Sequence, residues 1–588
     1  MTRPRSLWVS GMVVLAAVAA AGTGVALTQH RGSGGVVARS AGRPKLAARR
    51  GGTIVEALPA QTGITWYFPL ENGANASLYN AQLTSLLYKP LVYIDPNYSI
   101  GYAHSIARKI TYSTQGTVYH VFLNPKWHWS NGRPVTTADV LFAWQVAKAA
   151  SNPKAAQPWP WYGAGSGDVP QGISRVFANG PYEFTVVLKK PANQEWFIYN
   201  GLAGGAFTPL PKKLFDRYSG NMTKELAYLG NLATNPRADS VVDGPFKLAS
   251  AVQNQSWTLV PNPGYSGHKA SYARLVLAYE TSSTAEFSAL KTGQVQVGYL
   301  PPAEYGARAE LSRDRLRPGY GFAYFDTELN FHPNAPRGMG KVFSQLYVRQ
   351  ALQMGVDQKG ISKVIYHGFA APQYGPIPMK PRTIFYDGAL TGLDPFNVKR
   401  GKALLEAHGW RLKKGVMTKG SQKLAFTMMY SGGDQAATEA AEYMKQTWSQ
   451  EGVQVTLKSE PFSTMIGLMS KPGDWQAATD QGIIYGGSYP SGGALFGYVN
   501  GVPGGLNDMG YDSPVEQRLI AATHTPWPNQ KVNLQHFDAY EAFTARELLN
   551  LWTPNVATVV ATAKNVHGAF RFGNYTTGFG LPEYWTVR

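Results

Sequence analysis

Residues 121–145, which read VFLNPKWHWSNGRPVTTADVLFAWQ, constrain the fold more than any other part of the chain. The segment opens with an alternation of residues typical of a β-strand. Gly132 follows in a turn, because glycine reaches the positive φ that tight turns need. Thr136 or Thr137 can then cap a helix whose first turn holds Asp139, an acid placed against the positive end of the helix dipole. The segment therefore predicts a strand, a turn and a capped helix, in that order.

The length of the chain predicts several structural units. At 588 residues it is too long for one compact core, and about 150 residues per domain suggests two to four units. Beyond Gly51, strand-like and helix-like segments alternate, as expected for α/β lobes: 52–58 and 183–188 predict strands, and 81–93 predicts a helix followed by a strand. The 15 Trp and 33 Tyr, with only 15% charged residues, are typical of proteins that bind sugars or peptides by stacking, although a large core explains most of them individually.

The absence of cysteine excludes several kinds of site. Without it the chain has no disulfides, no thiolate metal site, no cysteine nucleophile and no lipid-modified cysteine of a bacterial lipoprotein. No metal site is predicted from the histidines either, because the 11 of them are scattered along the sequence.

The N-terminus carries a predicted export signal. Arg3 and Arg5 precede an uncharged run over 7–27, which is about 30 Å long as a helix and can cross a bilayer. Its alanine-rich part also offers a small-residue cleavage site. We expect residues 1–27 to be a signal peptide or signal anchor, with the bulk of the chain outside the cytoplasm. Residues 28–50 are basic and contain no acid, so we expect a disordered linker.

The formal charge of +19 is partly a property of this N-terminal region. Eight basic residues lie before Gly51, and the linker could rest against anionic lipid or wall polymer. We do not expect nucleic-acid binding, because the rest of the chain shows no basic run with interleaved aromatic residues.

Residues 129–140 (WSNGRPVTTADV) resemble the W-S-D-G-x-P-v-T-A-x-D-V core of family-5 extracytoplasmic solute-binding proteins, with Asn131 in place of the usual acid. These proteins are the dipeptide and oligopeptide receptors of ABC importers. The resemblance continues in order along the chain. Further matching blocks lie at 243–248, 257–265, 286–300, 330, 348–357, 367–378 and 394–410.

The resemblance implies an α/β, two-lobed periplasmic-binding-protein-like fold of type II, cluster C, with an extra inserted subdomain. The expected first lobe comprises 51–92, 201–318 and 556–588, the inserted subdomain 93–200, and the second lobe 319–555. A ligand would close the lobes about a hinge, and an ABC permease in the membrane would recognise the closed monomer. No cofactor is expected, because the energy comes from the partner ATPase.

Packing explains several of the matched blocks. Val348, Leu352 and Val356 recur at four-residue spacing, which predicts one buried stripe of a helix. Arg349 falls off that stripe and is expected to pair with a carboxylate or to cap a carbonyl, while a ligand role stays open. The apolar positions at 403–407 (Ala403, Leu404 and Ala407), followed by a glycine, predict an amphipathic helix with a glycine C-cap.

By the resemblance, ligand chemistry follows a strand of the second lobe. Peptide-binding members carry there an aromatic residue, two further residues, an Asp, a Tyr and a Pro, and the Asp pairs with the peptide α-ammonium. The matching residues are 485–490 (YGGSYP). Tyr485 would stack on the ligand beside Tyr489, and Ser488 stands where the Asp would be. Since a hydroxyl cannot neutralise an ammonium, Asp480 is a candidate replacement.

Candidates in the first lobe are aromatic. Trp66 and Tyr67 fall where the first lobe of the family contributes to the cleft, and stacking on a ligand or a place in the core would explain them equally. For Trp127 and Trp129 the core is the favoured alternative.

Three functions compete. Peptide capture is favoured by the family and opposed by Ser488. Capture of another solute (an oligosaccharide, an opine-like compound or a metal chelate) is favoured by the missing acid and the low charge. A secreted hydrolase is the most distant alternative, because the chain has neither His-Glu-x-x-His nor Gly-x-Ser-x-Gly, and we do not expect an enzyme.

Overall fold

The computed structural model describes the backbone of 13–14 and residues 51–588, apart from the positions given next. Those positions are 61, 73–74, 76, 153, 156–158, 219, 237–240, 433, 494, 500–501, 504–506, 575–576 and 579, and the side chains of 462–463, 466, 480–483, 498–499 and 502–503. The predicted export signal and basic linker therefore lie outside the described residues, apart from the backbone of 13–14. Within the described part of the chain, none of the helices has both the length and the apolar character that crossing a membrane requires.

The strands alternate with helices along the chain. They are β1 (Val13–Val14), β2 (Thr53–Ala57), β3 (Ala107–Tyr112), β4 (Val118–Leu123), β5 (Ile173–Gly180), β6 (Glu183–Leu188), β7 (Phe246–Val252), β8 (Ser256–Pro261), β9 (Arg274–Ala278), β10 (Val297–Leu300), β11 (Asp314–Gly319), β12 (Ala323–Leu329), β13 (Ala370–Ala371), β14 (Arg411–Lys413), β15 (Val416–Lys419), β16 (Gln422–Lys423), β17 (Ala425–Ser431), β18 (Gln454–Glu460), β19 (Ala477–Ile484), β20 (Tyr498–Val499), β21 (Val502–Pro503), β22 (Asn550–Thr553), β23 (Asn555–Val556), β24 (Thr558–Ala563), β25 (Val566–His567) and β26 (Thr586–Val587).

The α-helices are mostly short. They are α1 (Leu78–Leu87), α2 (Thr137–Ala150), α3 (Gln194–Phe197), α4 (Lys212–Phe215), α5 (Met222–Ala233), α6 (Ser283–Thr292), α7 (Met339–Phe343), α8 (Leu346–Met354), α9 (Gln358–Val364), α10 (Val398–Ala407), α11 (Gln435–Glu451), α12 (Phe462–Met469), α13 (Pro514–Thr523) and α14 (Gln530–Glu547). A π-helical turn covers Ile198–Leu202, and 3₁₀ turns cover Tyr102–His104, Ser166–Asp168, Pro302–Glu310, Pro336–Gly338, Gly388–Leu390 and Pro582–Tyr584.

Three sheets organise the molecule. The first has the strand order β11-β24-β10-β2-β9-β8-β7, with β2 parallel to both β9 and β10 and β24 antiparallel to both of its neighbours. The second has the order β18-β17-β19-β12-β22, with β1 paired to β19. The third is the antiparallel sheet β3-β4-β6-β5. Smaller pairings are β13-β23, β14-β15-β16, β20-β21 and β25-β26.

The chain passes between the first and second sheets twice. It leaves the first sheet after β11 and enters the second at β12, and it returns between β22 and β24. Since β12 and β22 are hydrogen-bonded neighbours, the two crossings start side by side. Two short adjacent connections of this kind are the usual hinge of a two-lobed protein.

The strand–turn–helix prediction at 121–145 is confirmed by the structure. The helix is α2, and its N-cap is Thr136 rather than Thr137. Asp139 accepts a hydrogen bond from the Thr136 N–H at 2.9 Å, and its second oxygen accepts one from the Lys212 N–H at 3.1 Å. The acid thus fixes both the start of the helix and the chain that packs beside it.

The helix predicted around 403–407 is present as α10, but its buried face is different. Gly401 and Leu405 are the buried positions, whereas Ala403 and Ala407 are exposed. A side chain at Gly401 would collide with Glu451 of α11 and with the Ala351 carbonyl of α8. The close approach of three helices therefore sets the face, which apolar spacing alone did not reveal.

Arg349 pairs as predicted, and it is buried as well. Its guanidinium donates to the carbonyls of Phe343 (2.8 Å) and Glu547 (2.9 Å), and it lies 3.3 Å from the Glu547 carboxylate. The stripe of Val348, Leu352 and Val356 is buried beside it. Arg349 therefore ties α8 to the end of α14.

Candidate functional site

The loop of residues 485–490 begins where β19 ends, so the second sheet sets its position. The Tyr485 N–H donates to the Phe322 carbonyl (2.9 Å), and the Ser488 N–H donates to the Tyr485 carbonyl (3.1 Å). Gly486, between them, has a φ of 58°, which glycine adopts without steric cost. The loop is therefore a tight turn fixed by backbone hydrogen bonds.

Tyr485 lies beneath this turn, in the core of the second lobe. Only 1% of the residue is exposed, and its hydroxyl donates to the Pro376 carbonyl at 2.9 Å. Its ring centroid is 5.0 Å from that of Phe322 and 5.9 Å from that of Tyr324. In this conformation the ring supports the loop from below.

Ser488 and Tyr489 lie at the outer side of the turn. Ser488 is half-buried, while Tyr489 is buried. The Tyr489 N–H donates to the Asn200 side chain (2.8 Å), and its hydroxyl donates to the Asn533 side chain (3.2 Å). Since Asn200 belongs to the π-helical turn that follows the third sheet, the loop joins two parts of the molecule that are far apart in sequence.

A tyrosine from the segment before β3 covers the loop. The Tyr98 hydroxyl donates to the Ser488 carbonyl and lies 3.1 Å from the Gly486 carbonyl. The ring packs against Phe322 and Phe385, with centroids 4.6 and 5.3 Å away. The two sides of the junction are therefore in direct contact.

Three side-chain amides extend this junction. Asn193 donates to the Asn533 side chain (2.7 Å) and to the Thr523 carbonyl (2.8 Å), and Asn533 donates to Glu195 (3.0 Å). Asn200 is the third, through Tyr489. The contacts join α3 and the π-helical turn to α13 and α14 through side-chain amides, the Tyr489 hydroxyl and the Glu195 carboxyl group, and none of these contacts is an ion pair.

A serine–histidine pair completes the junction. The Ser491 hydroxyl and the His524 Nε2 are 2.6 Å apart, and the His524 ring stacks on Trp196 at a centroid distance of 4.7 Å. Burial lowers the pKa of His524 to about 4, so the imidazole is neutral above that pH and can accept the serine proton in a hydrogen bond.

The first-lobe candidates are placed in a core. Trp66 is fully buried and meets Trp159 edge to face, with centroids 5.8 Å apart. Tyr67 is also buried, and its hydroxyl accepts a hydrogen bond from Trp257 at 3.0 Å. The structure thus groups residues 485–490 with Tyr98 and favours the core alternative for these two residues. Trp127 and Trp129 are buried likewise.

Asp480 lies at an irregularity of β19. Pairing with β12 shifts register there, because Asp326 faces Gln481 while Thr327 faces Thr479. Asp480 is therefore the extra residue of a β-bulge, a feature that redirects side chains. Its side chain lies outside the described residues, so its candidacy as an ammonium partner stays a prediction.

Four carboxyl groups are buried in the second lobe, and two of them, Asp326 and Glu541, lie close to Tyr485. Tyr324, Asp326 and Glu328 are every second residue of β12, so their side chains lie on the same face of the strand. Glu516 belongs to α13 and Glu541 to α14. Each has an oxygen without a hydrogen-bond partner among the described residues. Burial raises the pKa of Asp326, Glu328 and Glu541 well above the usual range, and that of Glu516 to about 8. Burial thus disfavours the charged form of all four carboxyl groups.

The arrangement can bind and enclose a solute through hydroxyl, amide and carbonyl groups flanked by aromatic rings. Among the described residues, no three His, Asp or Glu side chains gather in a way that could hold a metal ion. Tyr98 and the three asparagines carry no sequence motif. The one sequence feature that could have pointed to Tyr98 is its place directly after the turn-forming residues Asp-Pro-Asn, before the third sheet.

Comparison with known proteins identifies the family. The model of the bacterial extracellular solute-binding proteins, family 5 (middle), matches residues 102–499, which is more than half of the chain. The chain belongs to this family. The predicted family and the two-lobed α/β fold with an inserted subdomain are thereby confirmed.

Members of family 5 resemble this chain in sequence and in structure. The dipeptide-binding protein of Lactococcus lactis subsp. cremoris is 25% identical over 384 residues, which cover 61% of this chain and 64% of that protein, less than two thirds of its length. The oligopeptide-binding protein AppA of Bacillus subtilis, solved with a nonapeptide, superposes with a TM-score of 0.70 at 18% identity, over 92% of this chain and 99% of its own. NikA of Brucella suis, solved with Fe(III)-EDTA, gives a TM-score of 0.73 at 16% identity, over 91% and 100%.

Proposed function

We propose that this family-5 protein is the substrate receptor of an ABC importer. It would capture a peptide between its lobes, close about the hinge, and deliver the peptide to a membrane permease. The observation that carries the proposal is the contact of the 485–490 loop with Tyr98, at the junction of the lobes that the two chain crossings connect. A ligand favours the closed state only through contacts that it makes there and not in the open state. We place those contacts at this junction.

Peptides are the first choice of ligand because of the similar proteins. The Lactococcus relative is named a dipeptide-binding protein, and AppA was solved with a nonapeptide. The loop also offers backbone carbonyls at Gly486 and Ser488, which suit an ammonium or an amide N–H of a peptide.

A non-peptide solute is the second candidate, and two observations favour it. Ser488 replaces the carboxylate that would pair with a peptide ammonium, and burial raises the pKa of the Asp326 and Glu541 carboxyl groups near Tyr485, which disfavours their charged form. NikA, whose fold is similar, was solved with a metal chelate. An oligosaccharide, an opine-like compound or a chelate would suit a loop that presents hydroxyl and carbonyl groups in place of a carboxylate.

We propose the following division of the chain for this function. The first lobe would comprise 51–92, 201–318 and 556–588, the inserted subdomain 93–200 and the second lobe 319–555. The sheet composition supports it, since each of the three sheets draws its long strands from one of these units. Within the cleft we assign Tyr485, Ser488 and Tyr489 to the ligand loop.

The protein acts outside the cytoplasm, as its family does. We propose that residues 1–27 direct its export or anchor it, and that it is not a lipoprotein, since the chain has no cysteine. We further propose a monomer that needs no cofactor and has no enzymatic activity of its own.

Native mass spectrometry of the purified protein, followed by calorimetry with a pool of tri- to nonapeptides, tests the proposal. A ladder of co-purifying peptide masses and micromolar or tighter binding of the pool are expected. A single non-peptide mass, with no heat from the peptide pool, would move the assignment to the second candidate.

A further inference from the structure

The Tyr98 side chain lies where the two sides of the cleft meet. It comes from the segment before β3, yet it is fully buried against Phe322 and Phe385 of the second lobe and against Tyr199, whose centroid is 5.7 Å away. A ring enclosed between two lobes must leave this site whenever they separate. Its contacts are therefore specific to the closed form.

The backbone holds this ring in place at a steric cost. Tyr98 has a φ of 66°, in the left-handed region that bulky residues rarely adopt. The turn is fixed by hydrogen bonds from the Tyr98 N–H to the Asp95 carbonyl (2.8 Å) and from the Tyr199 hydroxyl to the Tyr98 carbonyl (2.7 Å). Strain of this kind persists where the surroundings determine it, and here it delivers the phenol to the 485–490 loop.

The phenol uses the acceptors that this loop would offer to a ligand. Its hydroxyl donates to the Ser488 carbonyl and lies 3.1 Å from the Gly486 carbonyl. A hydroxyl has one proton to donate, whereas an ammonium has three. A ligand ammonium in the same place could therefore satisfy both carbonyls, and an apolar side chain next to it could take the space of the ring.

We propose that Tyr98 is an internal competitor of the ligand: with its hydroxyl on the Ser488 and Gly486 carbonyls and its ring against Phe322, it takes the place of a peptide ammonium and of the first side chain. The ligand class is a peptide with a free N-terminus and an apolar or aromatic first residue. This inference rests on the proposed function. It also explains how a cleft without a carboxylate at position 488 recognises an ammonium, through carbonyls that Tyr98 releases.

Calorimetry with Phe-Ala-Ala-Ala and its N-acetylated form tests the inference. Tyr98→Phe removes only the hydroxyl that competes, so the Kd of the free peptide falls about two- to tenfold, as expected for one hydrogen bond. Tyr98→Ala also removes the ring and strengthens binding further. Tyr272→Phe is the matched control, because it removes another buried hydroxyl that donates to a carbonyl, that of Pro582 at 2.9 Å, and it leaves the Kd unchanged.

The outcomes separate this inference from the proposed function. If the wild-type protein binds the free peptide and Tyr98→Phe binds it equally or more weakly, Tyr98 is no competitor and peptide capture stands. If the Tyr98 variants bind the free peptide and the wild-type protein does not, Tyr98 prevents peptide binding in the wild-type protein, and the inference is supported. If no variant binds either peptide, both proposals are overturned. Thermal unfolding of each variant confirms that it is folded.

Discussion

At the scale of single residues, the 485–490 loop presents hydroxyl and carbonyl oxygens where related peptide receptors would present a carboxylate. Ser488 is half-buried, and its carbonyl is used by Tyr98. At the proposed site, recognition would depend on oriented dipoles, whose interaction with a ligand is weaker than that of a full charge but costs less desolvation.

Introducing the missing charge is the first prediction. Ser488→Asp places a carboxylate at the turn, and a charge-assisted hydrogen bond to a peptide ammonium lowers the Kd of a free peptide about tenfold. Ser488→Asn is the control, since it has similar size and no charge. Calorimetry with free and N-acetylated tetrapeptides measures the difference, and equal Kd values for both variants would show that the loop is not aligned with a peptide N-terminus.

Arg349 supports a second prediction at this scale. Arg349→Met leaves the carbonyls of Phe343 and Glu547 without their donor, and we expect the free energy of unfolding to fall by about 3 kcal/mol. Urea unfolding measures this change, and Arg108→Met at an exposed position is the control. A loss below about 1 kcal/mol would mean that water replaces the guanidinium.

At the scale of helices and strands, the turn-and-cap chemistry at 121–145 predicted α2 to within one residue, because its hydrogen bonds are local. A first strand was predicted at 52–58 and is β2, and the prediction at 183–188 matches β6. The strand predicted at the end of 81–93 is not formed, since α1 extends to Leu87 and the chain then enters turns.

The same scale shows why the junction was not predicted. Tyr98 and Gly486 are 388 positions apart, and Asn200 and Tyr489 are 289 apart. Such contacts depend on how the sheets are placed relative to one another, which periodicity and capping do not encode. The resemblance located the 485–490 loop, whereas the partner surface has no motif.

The cap of α2 gives the third prediction. Asp139→Ala removes the acceptor for the N–H groups of Thr136 and Lys212, so stability falls by about 2 kcal/mol. Glu406→Ala, at an exposed helical position, changes it little. Thermal unfolding measures the melting temperatures of both variants. Equal values would show that the Asp139 cap contributes nothing to stability.

At the scale of the whole molecule, the buried acids have few cationic partners. None of the ion pairs among the described residues involves a fully buried carboxyl group. Burial raises the pKa of Glu56 to about 7, those of Glu71, Asp243, Glu286 and Glu516 to about 8, and that of Glu451 to about 9. The folded protein therefore retains protons that the unfolded chain has lost.

This retention predicts how stability depends on pH. Each raised pKa contributes stability that is present below the ordinary value of about 4 and is lost as the pH rises through the folded value. Burial lowers the pKa of His104 and His524 to about 4, so these groups add the opposite dependence, but only below about pH 6.5. The lowered pKa of Lys89 also opposes the acids. Because these six acids, together with Asp326, Glu328 and Glu541, outnumber the one lysine, the melting temperature falls between pH 6.5 and 9.

Glu451 provides the matched test of this pH dependence. Neither of its carboxyl oxygens has a hydrogen-bond partner among the described residues, and Glu451→Gln keeps its shape but cannot ionise. The slope of unfolding free energy against pH becomes shallower by up to about 1.4 kcal/mol per pH unit. Glu406→Gln, at an exposed position, leaves the slope as it is. Parallel slopes for all three proteins would show that Glu451 is already solvated.

The position of β24 has a consequence for assembly. This late strand lies between β10 and β11, although the whole second sheet separates it from them in sequence. In a chain that crosses a membrane N-terminus first, the facing edges of β10 and β11 therefore stay exposed to wrong pairing until residues 558–563 follow. The order of the strands therefore means that these edges need protection while the chain crosses the membrane, either by a chaperone or by rapid passage.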